Sequence, residues 1–136
     1  MRILVINPGG TSTKISVFEG KEQVFKENIS HTQADLNDYK TVFNQYQYRK
    51  DLILNILEKN NYPIETFNCV VGRGGLMKPI PGGTYAVNER MIEDLKNAIN
   101  GEHASNLGAV LAKNIGDEID VPSFVVDPVS VDEFLD

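Results

Sequence analysis

The sequence predicts an α/β domain built on a mixed sheet, with the element order β-β-β-α-β-α-β and helices on the faces of the sheet. Two apolar runs of strand length, residues 3–6 and 67–72, read as strands buried on both faces. Tight turns join the first of them to two more extended segments, an antiparallel meander. Between the later strands, apolar residues recur at spacings of three and four, as the helices of βαβ crossovers require.

Asn7-Pro8-Gly9-Gly10 is a turn cluster that ends the first strand. Residues 14–18 then alternate polar with apolar, Glu19-Gly20-Lys21 turns the chain, and residues 23–29 form the third strand. A long helix is predicted over about residues 37–60, with Val42, Tyr46, Arg49, Ile53, Ile56 and Leu57 along one face, and Pro63 closes that region. Residues 72–83 carry five glycines and two prolines and read as a loop, followed by a short extended piece at 84–87. A helix capped by Asn88 carries Met91, Ile92, Leu95 and Ile99 as far as Gly101. Another carries Leu107, Val110, Leu111 and Ile115, with Gly116 placed as its C-cap. The last strand, 123–126, ends at Asp127-Pro128.

A chain of 136 residues suffices for one domain with a real core, and 41% hydrophobic with 24% charged residues is a globular composition. No apolar run approaches the roughly 18 residues of a membrane span, and the opening residues run into a turn too soon for a secretory signal. The single cysteine, Cys69, cannot form an internal disulfide, which agrees with a reducing, cytoplasmic setting. A net charge of −6 argues against broad binding to nucleic acid or anionic membrane. One lysine, one arginine and a few backbone N–H groups can still hold a phosphate.

In sheets of this kind, ligands bind beyond the carboxyl ends of the parallel strands. Asn7, Arg73 and Asp127 all fall at predicted strand ends, and three polar residues on one edge mean more than any one of them. The loop Asn7-Pro8-Gly9-Gly10-Thr11-Ser12-Thr13-Lys14 offers N–H groups, hydroxyls and a lysine to phosphate oxygens. It is not a Walker A loop, because its glycine spacing is wrong and no helix follows. Gly-Gly-Thr-Ser alone equally describes a polar hairpin tip; the asparagine before it and the lysine after it favour phosphate. Arg73, set among glycines, can clamp a carboxylate or phosphoryl group by paired hydrogen bonds, or can cap a carbonyl. His103 precedes a helix, where it can donate to developing negative charge or serve as a cap. Asp127 can orient a substrate or close a turn. One cysteine with His31 and His103 gives no zinc spacing, so any metal is expected to be Mg²⁺ arriving with a nucleotide.

Four stretches, INPGGTSTK (6–14), GRGGLMKPIPGGTY (72–85), GEHASNLGA (101–109) and VVDPVSVDE (125–133), resemble the butyrate kinases within the acetate, propionate and butyrate kinase family of the actin-like ATPase superfamily. The resemblance spans nearly the whole chain and implies a ribonuclease-H-like domain. It implies ATP- and Mg²⁺-dependent, reversible phosphorylation of butanoate or a related short or branched acid to its acyl phosphate. It puts Asn7, Gly9, Gly10, Thr11, Ser12 and Lys14 in the phosphate region, with Mg²⁺ near Asn7. It makes Arg73 the holder of the carboxylate and the transferring phosphoryl group, His103 a stabiliser of its charge, and Asp127 an organiser of the acyl-acceptor side. Gly10 departs from the family pattern, standing where a hydroxyl residue is expected and leaving Thr11, Ser12 and Thr13 as hydroxyl donors.

Family members carry two domains of this fold and associate as homo-oligomers. On that basis residues 1–136 are expected to be a single amino-terminal acyl-substrate and phosphoryl domain, without the nucleotide-binding domain and inactive alone. The competing expectations are an acetate or propionate kinase fragment, a non-catalytic phosphate- or carboxylate-binding domain, and an assembly domain.

Overall fold

The computed structural model describes residues 1–39, 43–73, 84–86 and 107–126. Strands β1 (Arg2–Pro8), β2 (Ser12–Glu19), β3 (Glu22–Ser30), β4 (Cys69–Arg73), β5 (Thr84–Ala86) and β6 (Ser123–Val126) form one six-stranded sheet, in the spatial order β3-β2-β1-β4-β6-β5. The meander is as predicted: β1 pairs antiparallel with β2, and β2 with β3. Crossovers then bring β4 parallel to β1 and β6 parallel to β4. The extended piece at 84–86 is a strand in its own right, antiparallel to β6.

Alternation along the strands sorts their side chains onto two faces. Leu4, Ile6, Ile15, Val17 and Val70 point to the main core, where they meet Ile53 and Leu57 of helix α2 (Tyr46–Lys59) and Leu107, Leu111, Ala112 and Ile115 of helix α3 (Leu107–Ile119). Ile3, Phe18, Cys69 and Val71 form a smaller cluster on the opposite face, with Val5 and Phe124 against it. The central strands are therefore apolar on both sides, which is why their sequence reads as unbroken apolar runs. Lys50 ties the two helices together, its Nζ 2.6 Å from Asn114 Oδ1 and 3.3 Å from Glu118 Oε2.

The long helix expected over 37–60 begins later, at Tyr46, directly after a 3-10 turn at Phe43–Gln45. A single turn, α1 (Gln33–Leu36), is capped by Thr32, whose Oγ1 accepts from the Asp35 N–H at 3.1 Å, and α2 proper begins only at Tyr46. Asn37 and Asp38 follow α1, residues whose side chains compete for backbone hydrogen bonds and disfavour helix interiors. At its far end α2 stops where Asn61 adopts a φ of 67°, with the Tyr62 N–H returning to the Leu57 carbonyl at 2.8 Å.

The expected C-cap at Gly116 is also corrected. Helix α3 continues to Ile119, and Asp120 takes the left-handed turn (φ 58°) while the Val121 N–H bonds the Gly116 carbonyl at 2.9 Å. Gly116 serves packing instead: a Cβ there would lie 3.0 Å from the Val121 carbonyl oxygen. Val42, Val87 and the helix expected after Asn88 lie outside the described residues. No described helix is long and apolar enough to cross a membrane.

One contact fixes how α3 lies on the sheet. A Cβ on Gly72 in β4 would overlap the Gly108 carbonyl, and a Cβ on Gly108 would overlap the Arg73 carbonyl. Two glycines facing each other let the backbones of helix and strand touch, so the start of α3 sits directly against the carboxyl end of β4. Neither backbone can yield as a side-chain tip can. Gly72→Ala is therefore expected to cost about 3 kcal/mol or more, at the top of the range for overpacked cores. Urea unfolding checks this; a midpoint within error of the parent chain would contradict the contact.

Candidate functional site

Three of the expected site residues share a row and a face at the carboxyl edge of the sheet. Asn7 lies opposite Lys14 in the β1–β2 ladder. The parallel register of β1 with β4 runs from Ile3 opposite Cys69 to Ile6 opposite Gly72, and the next pair in that register is Asn7 with Arg73. Arg73 in turn lies opposite Val126 of β6. Counting by twos from the smaller apolar cluster, Phe18 leads to Lys14, Ile3 to Asn7, and Cys69 to Arg73, so all three project from that cluster's face. Lys14 and Arg73 are two interstrand steps apart, about 10 Å between backbones, with Asn7 between them. Two long cationic side chains flanking an amide can close on one anion of phosphate or carboxylate size.

Among the described residues Lys14 and Arg73 have no ion-pair partner, whereas Arg2 pairs with Glu19, Lys50 with Glu118 and Lys113 with Asp117. Lys14 is exposed and lines a groove of about 320 Å³ together with Ile15, Ser16, Lys26, Glu27 and Asn28.

The tip of the first hairpin is held from below. Its backbone closes through the Gly9 N–H and the Ser12 carbonyl at 2.7 Å. Gly10 and Thr11 are exposed, and a Cβ on Gly10 would meet none of the described residues within 4 Å. Beneath it lies Arg49 of α2, fully buried. Its Nη1 donates to Gly9 O (2.8 Å), Ser12 O (3.0 Å) and Thr13 Oγ1 (3.2 Å), and its Nη2 to Gly10 O (3.2 Å). Gln45 Oε1 accepts from both Nη2 (2.8 Å) and Nε (3.2 Å). Burial pushes this guanidinium down to about 10, still protonated at neutral pH.

Thr13, counted from sequence among the hydroxyl donors to phosphate, does not fill that role. It is fully buried, and its Oγ1 lies between Arg49 and His31, 2.7 Å from His31 Nε2. Strand alternation explains this: Thr13 points to the α2 face, opposite in direction to Lys14. The remaining hydroxyls are the exposed Thr11 and the half-buried Ser12. His103 and Asp127 lie outside the described residues, although Asp127 directly follows Val126, the β6 member of the edge row.

The sequence puts Arg49 on the apolar stripe of its helix. The signal was present: Arg49, Ile53 and Leu57 recur every four residues and all are buried. A cation on a buried stripe demands oxygen partners. His31 carried no comparable signal, since only the β2–β3 ladder brings it beneath Thr13.

No family model matches the chain. Over 135 residues, 99% of its length, it is 55% identical to a protein of Clostridium botulinum (strain Eklund 17B / Type B) described as a probable butyrate kinase. It is 50% identical over 132 residues to butyrate kinase 1 of Clostridium acetobutylicum. The chain spans 38% and 37% of the lengths of these two relatives. Among solved structures, acetate kinase from Porphyromonas gingivalis is similar with a TM-score of 0.59 at 14% identity, over 93% of this chain and 37% of that one. That likeness is one of fold, a ribonuclease-H-like arrangement.

His31 makes the support beneath the hairpin sensitive to acid. Its ring is buried, its Nδ1 has no partner among the described residues, and it packs edge-on to Tyr48 at 5.2 Å. Burial, and then the charge of Arg49, hold its pKa below the ordinary 6.5, with Asp35 opposing weakly. The unfolded chain therefore takes up a proton near pH 6.5 that the folded chain refuses, so stability is lost as pH falls below that value. The slope contributed by this one group reaches at most about 1.4 kcal/mol per pH unit. Urea unfolding at pH 7.5 and 5.5 should show a smaller loss for His31→Gln than for the parent chain; equal losses would contradict it.

Proposed function

We propose that this chain supplies the acyl-substrate and phosphoryl side of a butyrate kinase-type carboxylate phosphotransferase, acting on butanoate or a related short or branched acid. The observation that carries the reading is the row Lys14–Asn7–Arg73, an amide and two cations without an ion-pair partner among the described residues, on one face of the sheet's carboxyl edge. The 50–55% identity to butyrate kinases supports this chemistry over other uses of an anion site.

In the proposed reaction a carboxylate oxygen attacks the terminal phosphorus of ATP in line. The new C–O–P linkage forms as the bond from phosphorus to the bridging oxygen breaks, and ADP leaves with that electron pair. A carboxylate is already ionised at neutral pH, so no proton need be removed and positioning with charge stabilisation does the work. Arg73 would hold the carboxylate and the moving phosphoryl group. Asn7, Gly9, Gly10, Thr11, Ser12 and Lys14 would receive phosphate oxygens. His103 would stabilise the transferring charge and Asp127 would organise the acyl side.

Among the described residues no three His, Cys, Asp or Glu gather to hold a metal, and the donors around Asn7 are an amide, hydroxyls and a lysine. That set does not by itself make a Mg²⁺ site; a Mg²⁺ near Asn7 would be held mainly by nucleotide phosphates. The reading includes an adenosine pocket on a second domain outside residues 1–136, a homo-oligomeric whole protein and a cytoplasmic setting.

Isothermal titration of the chain with butyryl phosphate and, separately, with ATP–Mg²⁺ tests the division of labour. The acyl phosphate is expected to bind and ATP not to. Arg73→Ala is expected to weaken the acyl phosphate by about 2 kcal/mol, roughly thirtyfold, the scale of hydrogen bonds to a charged group. Binding of ATP alone, binding of neither ligand, or an unchanged affinity in Arg73→Ala would each overturn the reading.

A further inference from the structure

Four acceptors around the Arg49 guanidinium belong to the hairpin that precedes it by some forty residues: the carbonyls of Gly9, Gly10 and Ser12 and the hydroxyl of Thr13. In a trans peptide the C=O and the next N–H point in opposite directions. Drawing the Gly9 and Gly10 carbonyls inward therefore turns the N–H groups of Gly10 and Thr11 outward, away from α2. Neither N–H donates to any described residue, and both residues are exposed. Two successive N–H groups facing open space are an anion receptor. The cation behind them has no carboxylate partner among the described residues.

We infer that Arg49 is a positioning residue of the phosphate site: it touches no substrate, and from beneath the hairpin it sets the outward aim of the Gly10 and Thr11 N–H groups. Gln45 is part of the same device, since Oε1 accepts from two of the guanidinium nitrogens and fixes the plane of the fork. Lysine cannot substitute. Its ammonium is a point donor with three protons, whereas the guanidinium presents five in a planar fork to acceptors spread along the hairpin. The inference deepens the phosphoryl-transfer reading and rests on it for the identity of the anion.

The test follows backbone amide resonances of the chain during titration with inorganic phosphate, for the parent, Arg49→Lys and Gln45→Ala. In the parent, the Gly10 and Thr11 amides are expected to move on adding phosphate. In Arg49→Lys the resonances of residues 9–12 should already differ before phosphate is added, while those of β4 and β6 do not. Phosphate affinity should fall by roughly 10- to 100-fold, the range found when residues that orient metal-binding groups are removed. Gln45→Ala leaves the charge in place and should give a weaker effect of the same kind, which keeps the test decisive if Arg49→Lys fails to fold. Parent-like phosphate affinity in a folded Arg49→Lys, or in Gln45→Ala if Arg49→Lys does not fold, would overturn the inference. So would unchanged resonances at 9–12. Perturbed tip resonances in Arg49→Lys with no phosphate response in the parent would overturn the phosphate reading instead, and with it the functional role given to Arg49.

Discussion

A guanidinium on the buried stripe of a helix must be surrounded by oxygen atoms, because an unsolvated cation without them costs several kcal/mol. In this chain those atoms come from the tip of the β1–β2 hairpin, and meeting that demand links the two halves of the domain. Arg49 shares its stripe with Ile53 and Leu57, so packing α2 against the sheet is the same event as seating the hairpin. The six hydrogen bonds to Arg49 leave no carbonyl of Gly9, Gly10 or Ser12 without a donor from within the protein. The hairpin is thereby a rigid element although it lies at the surface. A binding loop held from below does not have to be ordered by its ligand.

The second constraint is the parallel alignment of β1, β4 and β6, which brings their carboxyl ends to one edge. The Gly72–Gly108 contact then sets the start of α3 against that same edge. Arg73 and Lys14 both bias this end of the sheet toward anions. The chain as a whole carries −6. The site is a local reversal of the overall charge, formed by backbone geometry and two side chains, not by a basic surface.

Much of this was legible in the sequence, and the reason is period. Runs such as Ile3 to Ile6 identify central strands because only strands covered on both faces tolerate unbroken apolar residues. Once strands are located, Asn7 and Arg73 follow as strand-end residues, and Lys14 as the second residue of the neighbouring strand's accessible face. What was not legible depends on contacts across the fold. Thr13 reads as one more loop hydroxyl until strand parity sends it inward to His31 and Arg49. Arg49 reads as a helix residue until its acceptors are seen. Gly116 reads as a stop signal by composition, yet Asp120 ends the helix because the chain must return over Gly116 at van der Waals distance. Helical periodicity also draws Asn37 and Asp38 into one long helix, whereas they follow the separate turn α1 that Thr32 caps.

The central claim is that an oxyanion sits over the first hairpin, on the face shared by Lys14, Asn7 and Arg73. Tungstate is a tetrahedral oxyanion of the same charge type as phosphate and a strong anomalous scatterer. A crystal of the chain soaked in millimolar tungstate would locate the site directly. The account predicts an anomalous peak within hydrogen-bond reach of the Gly10 and Thr11 N–H groups and of the Lys14 or Arg73 side chain. A peak confined to other surfaces, with none over this hairpin, would contradict it.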